Sequence, residues 1–475
     1  METVRRIARN TGVIIAGRIV SRLIGLVMLI FLTRYLGTSN FGIYSFVFAY
    51  LEFFGILMDL GIRAILVRDL SRDRSKADKL LGNAIIMKVV LSVFALLLAC
   101  LIITFLKYPF DTKLLVYVAS LSFLLSFGSL YGLMFQVDLE MKYPTLANIF
   151  SSVLKLTIFL YLIFMKAPLL WFIIAGIIAA FSEFLIILRL SRRYVRPKFE
   201  IDFKIWKNLF KESWPIALTA TFIMIYNRID QIMLFQMKGA QAVGNYAVAV
   251  RLTEAFNIIP AAFMTSVFPL FSEYFLASGE KLEKAYALSF KYMSILIMPI
   301  AVGISILSEP AIRILFGEQF IWSVQALRIL IWSEVFVFLG AVHINILIST
   351  GLQKLDFIFT SSGAVVNIIL NLLLIPPYGI VGAAIATFVS YGLGVPMSCI
   401  LKKTRSYGKA LAYSTLKPLI AAGIMGCFTY FAFFLHLPLA AIIFFSAIGY
   451  FAVIVLIGGV DRQDQEYFRK IVFRT

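Results

Sequence analysis

The segment NTGVIIAGRIVSRLIGLVMLIFLTRYLG, residues 10–37, sets two arginines, Arg18 and Arg22, inside an apolar run long enough to cross a bilayer. A guanidinium does not deprotonate, and its planar fork of donors matches the oxygens of a phosphate. Placing it in hydrocarbon costs at least about 2.5–3.5 kcal/mol, so it normally faces a wet cavity or a partner. At about 1.5 Å per residue, Arg18 lies about 9 Å and Arg22 about 15 Å inside the cytoplasmic edge of the span. Arg18 can snorkel to the headgroups, Arg22 cannot do so easily, and the i, i+4 spacing puts both on one helix face. The chemistry open to this pair is reception of an anion, which would be prohibitively costly to leave unpaired in the membrane.

The same depth test sorts the other ionisable groups. Lys155, Arg228 and Arg251 join Arg18 and Arg22 as candidate substrate-binding cations. Glu52, Asp230, Glu254 and Glu334 are the deep acids, placed to balance those cations in the unloaded state or to bind a coupling ion, a proton or sodium. An Asp230–Arg251 ion pair between neighbouring helices is the structural alternative for those two residues. Asn227 with Gln231, and Asn367 with Asn371, are i, i+4 polar pairs that either hydrogen-bond between helices or line a cavity for sugar hydroxyls. Lys88, Lys291 and Lys417 near the cytoplasmic surface, and Arg328 near the outer one, read as interface anchors. His343 and His436 sit too close to helix ends for a proton relay. Cys100, Cys399 and Cys427 fall in apolar runs, which points to no disulfide framework and no metal site, and no catalytic constellation or cofactor motif is found.

These side chains need membrane helices to hold them. Of the 475 residues, 61% are hydrophobic and 15% charged, with a mean hydropathy of +0.93, which excludes an ordinary soluble domain. Arg5, Arg6 and Arg9 resemble the basic start of a signal peptide, yet the apolar part is too long and no small-residue cleavage site follows. The pattern predicts an all-α integral membrane protein with about fourteen transmembrane helices, near 12–34, 41–61, 81–106, 114–135, 144–165, 169–190, 214–237, 245–271, 286–307, 324–348, 356–375, 378–401, 412–435 and 438–459. Twelve is the rival count. Twenty-nine Lys and Arg residues fall at the termini and in the even-numbered loops, against Lys107, Lys113, Lys166, Lys238 and Arg313 in the odd ones. That asymmetry predicts both termini in the cytoplasm. It also accounts for the net charge of +19, which here signals topology and attraction to anionic headgroups rather than nucleic-acid binding. RAILVRDLSRDRSKADKL and KIWKNLFKESW have the spacing of interfacial helices, anchored by anionic lipid or open to a partner protein.

Gly37, Gly42, Tyr44 and Glu52 recur as Gly239, Gly244, Tyr246 and Glu254, each displaced by 202 residues, with Lys88 and Lys291 displaced by 203. Six spans separate the copies, and an even number preserves orientation, so the expectation is two parallel six-helix lobes with the pathway between them. The domains expected are an N-terminal lobe over 1–190, a cytoplasmic amphipathic linker over 191–213, a C-terminal lobe over 214–401, two added helices over 412–459 and a cytoplasmic tail over 460–475.

The runs TRYLGTSNFGIYSF, FGILMDLGIRAILVRDLSRDRSKADKLLGNAI and PPYGIVGAAIAT resemble the polysaccharide flippase family, a branch of the superfamily that holds multidrug exporters and the lipid II flippase. The resemblance implies lobes facing a central cavity that opens alternately to each side of the cytoplasmic (inner or plasma) membrane. It implies as substrate a polyprenyl phosphate or pyrophosphate bearing a short glycan, with other glycan-assembly membrane proteins as partners. It implies transport for cell-surface polysaccharide assembly and no enzymatic activity. The rivals are a cation-coupled multidrug exporter of the same superfamily, a membrane glycan polymerase or ligase, and an ion channel. The deep acids and bases tie in number, so the motif resemblance decides against the exporter. Short outer loops poor in His, Asp and Glu disfavour the enzyme, and no selectivity-filter sequence supports the channel. Glu52 is the one mid-membrane charge on the second span, where the lipid II flippase is expected to carry an arginine, which points to a glycan other than the peptidoglycan precursor.

In a chain whose native cysteines are replaced, cysteine at Ser75 should resist an impermeant thiol reagent in intact cells, and cysteine at Ser39 should react. The opposite labelling pattern would invert the topology.

Overall fold

The computed structural model describes residues 2–460, with side chains from Gly12 onward. The tail expected beyond 460 and the side chains of Arg5, Arg6 and Arg9 lie outside the described residues. Backbone N–H and C=O groups in hydrocarbon must be satisfied within the segment, and a helix does so. The described residues are accordingly helical almost throughout, with no strand among them. In chain order the helices are α1 (Glu2–Asp59), α2 (Ile62–Arg72), α3 (Ala77–Phe105), α4 (Phe110–Ser120), α5 (Gly128–Tyr131), α6 (Leu133–Val137), α7 (Lys142–Phe164), α8 (Leu169–Ser191) and α9 (Phe203–Lys238). There follow α10 (Ala240–Glu254), α11 (Ile258–Ala277), α12 (Gly279–Leu315), α13 (Ser323–Ser349), α14 (Gln353–Gly392), α15 (Gly394–Ile400), α16 (Arg405–Phe434) and α17 (Leu439–Leu456).

Among the described residues, 11 runs are long and apolar enough to cross a membrane. Two of them are double, because α1 breaks at Gly37 and α14 breaks at Gly379. α9 is not among the 11; its outer half carries Asn227, Arg228, Asp230 and Gln231. Eleven runs, two of them double, with α9 added make the fourteen helices that hydropathy predicts.

The chain forms two compact units, Met1–Phe235 and Gln236–Thr475. In the first, the second half of α1 runs antiparallel to α9. Phe46 stacks on Phe235 with ring centroids 3.9 Å apart, Glu52 meets Arg228, and Gly61 abuts Ser213 and Ile216. Gly61 is left-handed at φ 75°, and a Cβ there would lie 2.9–3.0 Å from Ile216 and the Ser213 carbonyl. α9 therefore joins the first unit for most of its length. In the second unit, small residues bring α16 onto α12: a Cβ on Gly426 would sit 2.7 Å from Val302, and Ala421 and Ala422 are fully buried. The Tyr450 hydroxyl on α17 donates to the Ile295 carbonyl on α12 at 3.0 Å. The last two helices are thus built into that unit's core, beside Phe290, Met293 and Phe338.

The sequence offset of 202 residues reappears in the backbone. Gly37 has φ 71°, ψ 179° and Gly239 has φ 80°, ψ −177°, a region open essentially to glycine alone. Each glycine starts a helix immediately after a break, where the fixed dihedrals set the direction of the next span. A Cβ on Gly239 would meet no atom within 4 Å, so any cost of adding one comes from the backbone itself. Gly239→Ala should lower the thermal unfolding midpoint of the purified protein, by the equivalent of about 1–3 kcal/mol. Gly303→Ala, inside α12 with equally open space, is the control and should leave the midpoint unchanged or raised.

Candidate functional site

The first span is pinned to α7 along one narrow seam. A Cβ on Gly17 would lie 2.0 Å from Thr145 Cγ2, so a larger residue there would have to turn the threonine aside or part the helices. One turn later the Ser21 hydroxyl donates to Asn148 Oδ1 at 2.8 Å. With 3.6 residues per turn, the positions following Gly17 and Ser21 lie about 100° around the helix. Those positions are Arg18 and Arg22, and both are exposed. The seam continues inward: the Asn148 amide donates to Glu183 Oε1 on α8 at 3.5 Å. Glu183 is partly buried and makes no ion pair among the described residues. Sequence reasoning passed over it, although the same depth test, applied to the run IIAAFSEFLIIL, finds this acid about two turns inside its span.

Arg228 and Glu52 are brought together. Arg228 Nε donates to Glu52 Oε2 at 2.5 Å, with 12% of the arginine side chain and 50% of the glutamate side chain exposed. Lys155 lies over the Phe159 ring at 5.3 Å and beside Gly176, wedged between α7 and α8. Lys88 corrects an expectation. It is not an interface anchor but is 4% exposed, donating to Asp59 Oδ1 at 2.6 Å and to Ser129 Oγ at 3.0 Å. Distance from the cytoplasmic edge along one helix says nothing of a carboxylate brought up by another.

In the second unit, Arg251 Nη1 donates to Glu254 Oε2 at 3.3 Å, one turn along α10, and this is the ion pair Arg251 makes there. Asn367 and Asn371 do not line an open cavity in this conformation. Both are 0% exposed; the Asn371 amide donates to Asn367 Oδ1 at 3.0 Å, and the Asn367 amide donates to Ser390 Oγ at 3.2 Å. The amides bind the two halves of α14 together across the Gly379 break. Asp230 and Gln231 on α9 and Glu334 on α13 are likewise buried, whereas Asn227 is exposed. His343, also buried, has Ser398 Oγ 3.1 Å from Nε2. No group of three or more His, Cys, Asp or Glu suited to a metal ion occurs among the described residues. Arg18 and Arg22 are thus exposed on the first span, whereas Arg228 is held by a carboxylate.

A family model described as polysaccharide biosynthesis protein matches residues 7–275, and a second, MatE, matches residues 215–373. The chain is 27% identical over 444 residues to a protein of Haloferax volcanii named "Probable flippase AglR", covering 88% of this chain and 86% of that one. It is 25% identical over 224 residues to a membrane protein of Methanocaldococcus jannaschii, MJ1068, a match spanning 46% of this chain and 44% of that protein. Its fold is that of the lipid II flippase MurJ, solved in an inward closed conformation, with a TM-score of 0.76, 15% identity, and coverage of 93% of this chain and 98% of that one.

Neutralising one member of the Glu52–Arg228 pair removes that ion-pair contact from the other, more expensively for the less exposed arginine. Glu52→Gln should lower the unfolding midpoint more than Arg228→Gln, and the double variant should recover most of the loss. Losses that merely add would show the two groups to be energetically uncoupled.

Proposed function

Because this chain belongs to the polysaccharide biosynthesis protein family, we propose that it is a flippase, carrying a polyprenyl phosphate- or pyrophosphate-linked oligosaccharide from the cytoplasmic to the outer leaflet. The observation that carries the proposal is the exposure of Arg18 and Arg22 together on one face of the first span, rigidly presented by the Gly17–Ser21 seam. The MurJ-like fold and the flippase relative support it. Arg18, nearer the cytoplasmic edge, is the first capture point, and Arg22 holds the phosphate at depth by bidentate donation. Arg228 and Arg251 join the binding set only as Glu52 and Glu254 release them. Lys155 is a third reserve cation. Transport proceeds by alternating access with both termini in the cytoplasm, in support of cell-surface glycan assembly.

Coupling to a proton or sodium gradient belongs to the same proposal. Glu183 is the carboxylate suited to it: it lies within a span, partly buried and with no ion pair among the described residues, so a bound cation would supply its counter-charge. Its link through Asn148 to Ser21 puts it one helix away from the arginines. The match of residues 215–373 to the MatE model favours, as second reading, a cation-coupled multidrug exporter. A cationic drug would be repelled by Arg18 and Arg22, and this electrostatic mismatch sets that reading behind the first.

The test is glycan export in cells lacking their own flippase, scored beside membrane abundance. Arg22→Ala should abolish export with abundance retained, because the helix becomes more apolar and only the anion's partner is lost. Arg22→Lys should keep partial activity, since charge survives without the fork. Glu183→Gln should abolish the response to an imposed proton or sodium gradient. Wild-type export by Arg22→Ala would end the substrate role assigned to it.

A further inference from the structure

α9 is longer than a bilayer needs. Its 36 residues extend about 54 Å at 1.5 Å each, against a hydrocarbon core of about 30 Å. The excess is the segment ahead of Pro215, and its surface is divided by helical spacing. Leu209, Ser213 and Ala217, four residues apart, are buried against the first unit. On the outward side Phe203, Phe210 and Trp214, at spacings of seven and four, form an aromatic stripe with exposures of 73%, 50% and 50%. Lys207 borders that stripe, and Lys211 and Lys204 continue round the helix beyond it, all three exposed.

This surface is held rigidly by the first unit. The chain leading into it is bonded to α3: Lys198 N–H donates to the Asp78 carbonyl at 2.9 Å, and Asp202 N–H to Asn83 Oδ1 at 2.7 Å. A Cβ on Gly82 would lie 1.8 Å from the Lys198 carbonyl oxygen, so the two backbones touch. Asp202 caps α9, accepting from the N–H groups of Lys204 and Ile205 at 3.0 and 3.3 Å, while Lys79 pairs with its carboxylate at 3.0 Å. Lys79 and those backbone donors hold the Asp202 carboxyl below the usual carboxylate range.

We propose that this stripe is a docking surface for the anionic phospholipids of the cytoplasmic leaflet. The lysines meet phosphodiester headgroups while the three aromatic rings enter the interface between headgroup and acyl chain. Large aromatic residues half or more exposed beside cations match that boundary, apolar on one side and negatively charged on the other. The occupant is bulk membrane lipid and not the transported one, since the stripe lies on an exposed side of α9, next to the face packed on the unit and turned away from it. Docking there holds α9 and, through the α3 clamp, the cytoplasmic end of the first unit at a fixed depth. The inference stands whether or not the transport reading does.

The experiment uses the full chain in vesicles without any lipid-linked glycan. The unfolding midpoint is measured in neutral phosphatidylcholine and in mixtures with anionic phosphatidylglycerol, at low and high salt. The wild-type protein should be stabilised by the anionic lipid, the gain shrinking with salt. Lys204→Gln/Lys207→Gln/Lys211→Gln should lose the gain, with lipid affinity reduced about fivefold per lysine removed. The corresponding triple arginine variant should keep it. Equal wild-type midpoints in the two lipids, a gain indifferent to salt, or a full gain in the glutamine variant would each overturn the proposal. The salt series on the wild-type protein decides the matter even if the glutamine variant fails to fold. Binding of the segment to a soluble acidic protein, with no lipid response, would reassign the surface and likewise overturn it.

Discussion

A charge held in hydrocarbon must be answered by an opposite charge, by water or by a ligand, and the arrangement of this protein's membrane-embedded side chains follows from that requirement. Lys88 is answered by Asp59, Arg228 by Glu52 and Arg251 by Glu254, each within one compact unit. Arg18 and Arg22 are presented on an exposed face, within reach of an anionic ligand. Pairing and exposure are two solutions to the same cost. Under the proposed flippase reading the exposed pair receives the phosphate, and the ion-paired cations are reserves masked until a carboxylate lets go.

Close packing gives that face its direction. In a bilayer, helices gain little from burying apolar area against each other and depend on small residues and hydrogen bonds to approach. Gly17 against Thr145 and Ser21 on Asn148 do this for the first span, as Gly426 against Val302 does for α16. The same economy of polar groups explains Asn367, Asn371 and Ser390. Wholly buried amides, joined to each other and to Ser390, tie the two halves of α14 across its break.

The amino-acid sequence by itself determined the number of helices, because each apolar run must be near the bilayer thickness, and it determined that Arg18 and Arg22 share a face, because helical periodicity is local. The offset repeat was legible too, and Gly37 and Gly239 carry it in their dihedrals, since a conformation confined to glycine leaves a visible residue. Tertiary structure alone decided who meets whom. Depth along a helix is a single coordinate, and it ranked Lys88 as an anchor because it cannot say which side of the helix another helix covers. The grouping of α9 with the first unit, the pairing of Arg228 with Glu52, and the burial of Asn367 and Asn371 all depend on that second coordinate. It is fixed by contacts between different helices, 176 positions apart for Glu52 and Arg228, and no local pattern encodes them.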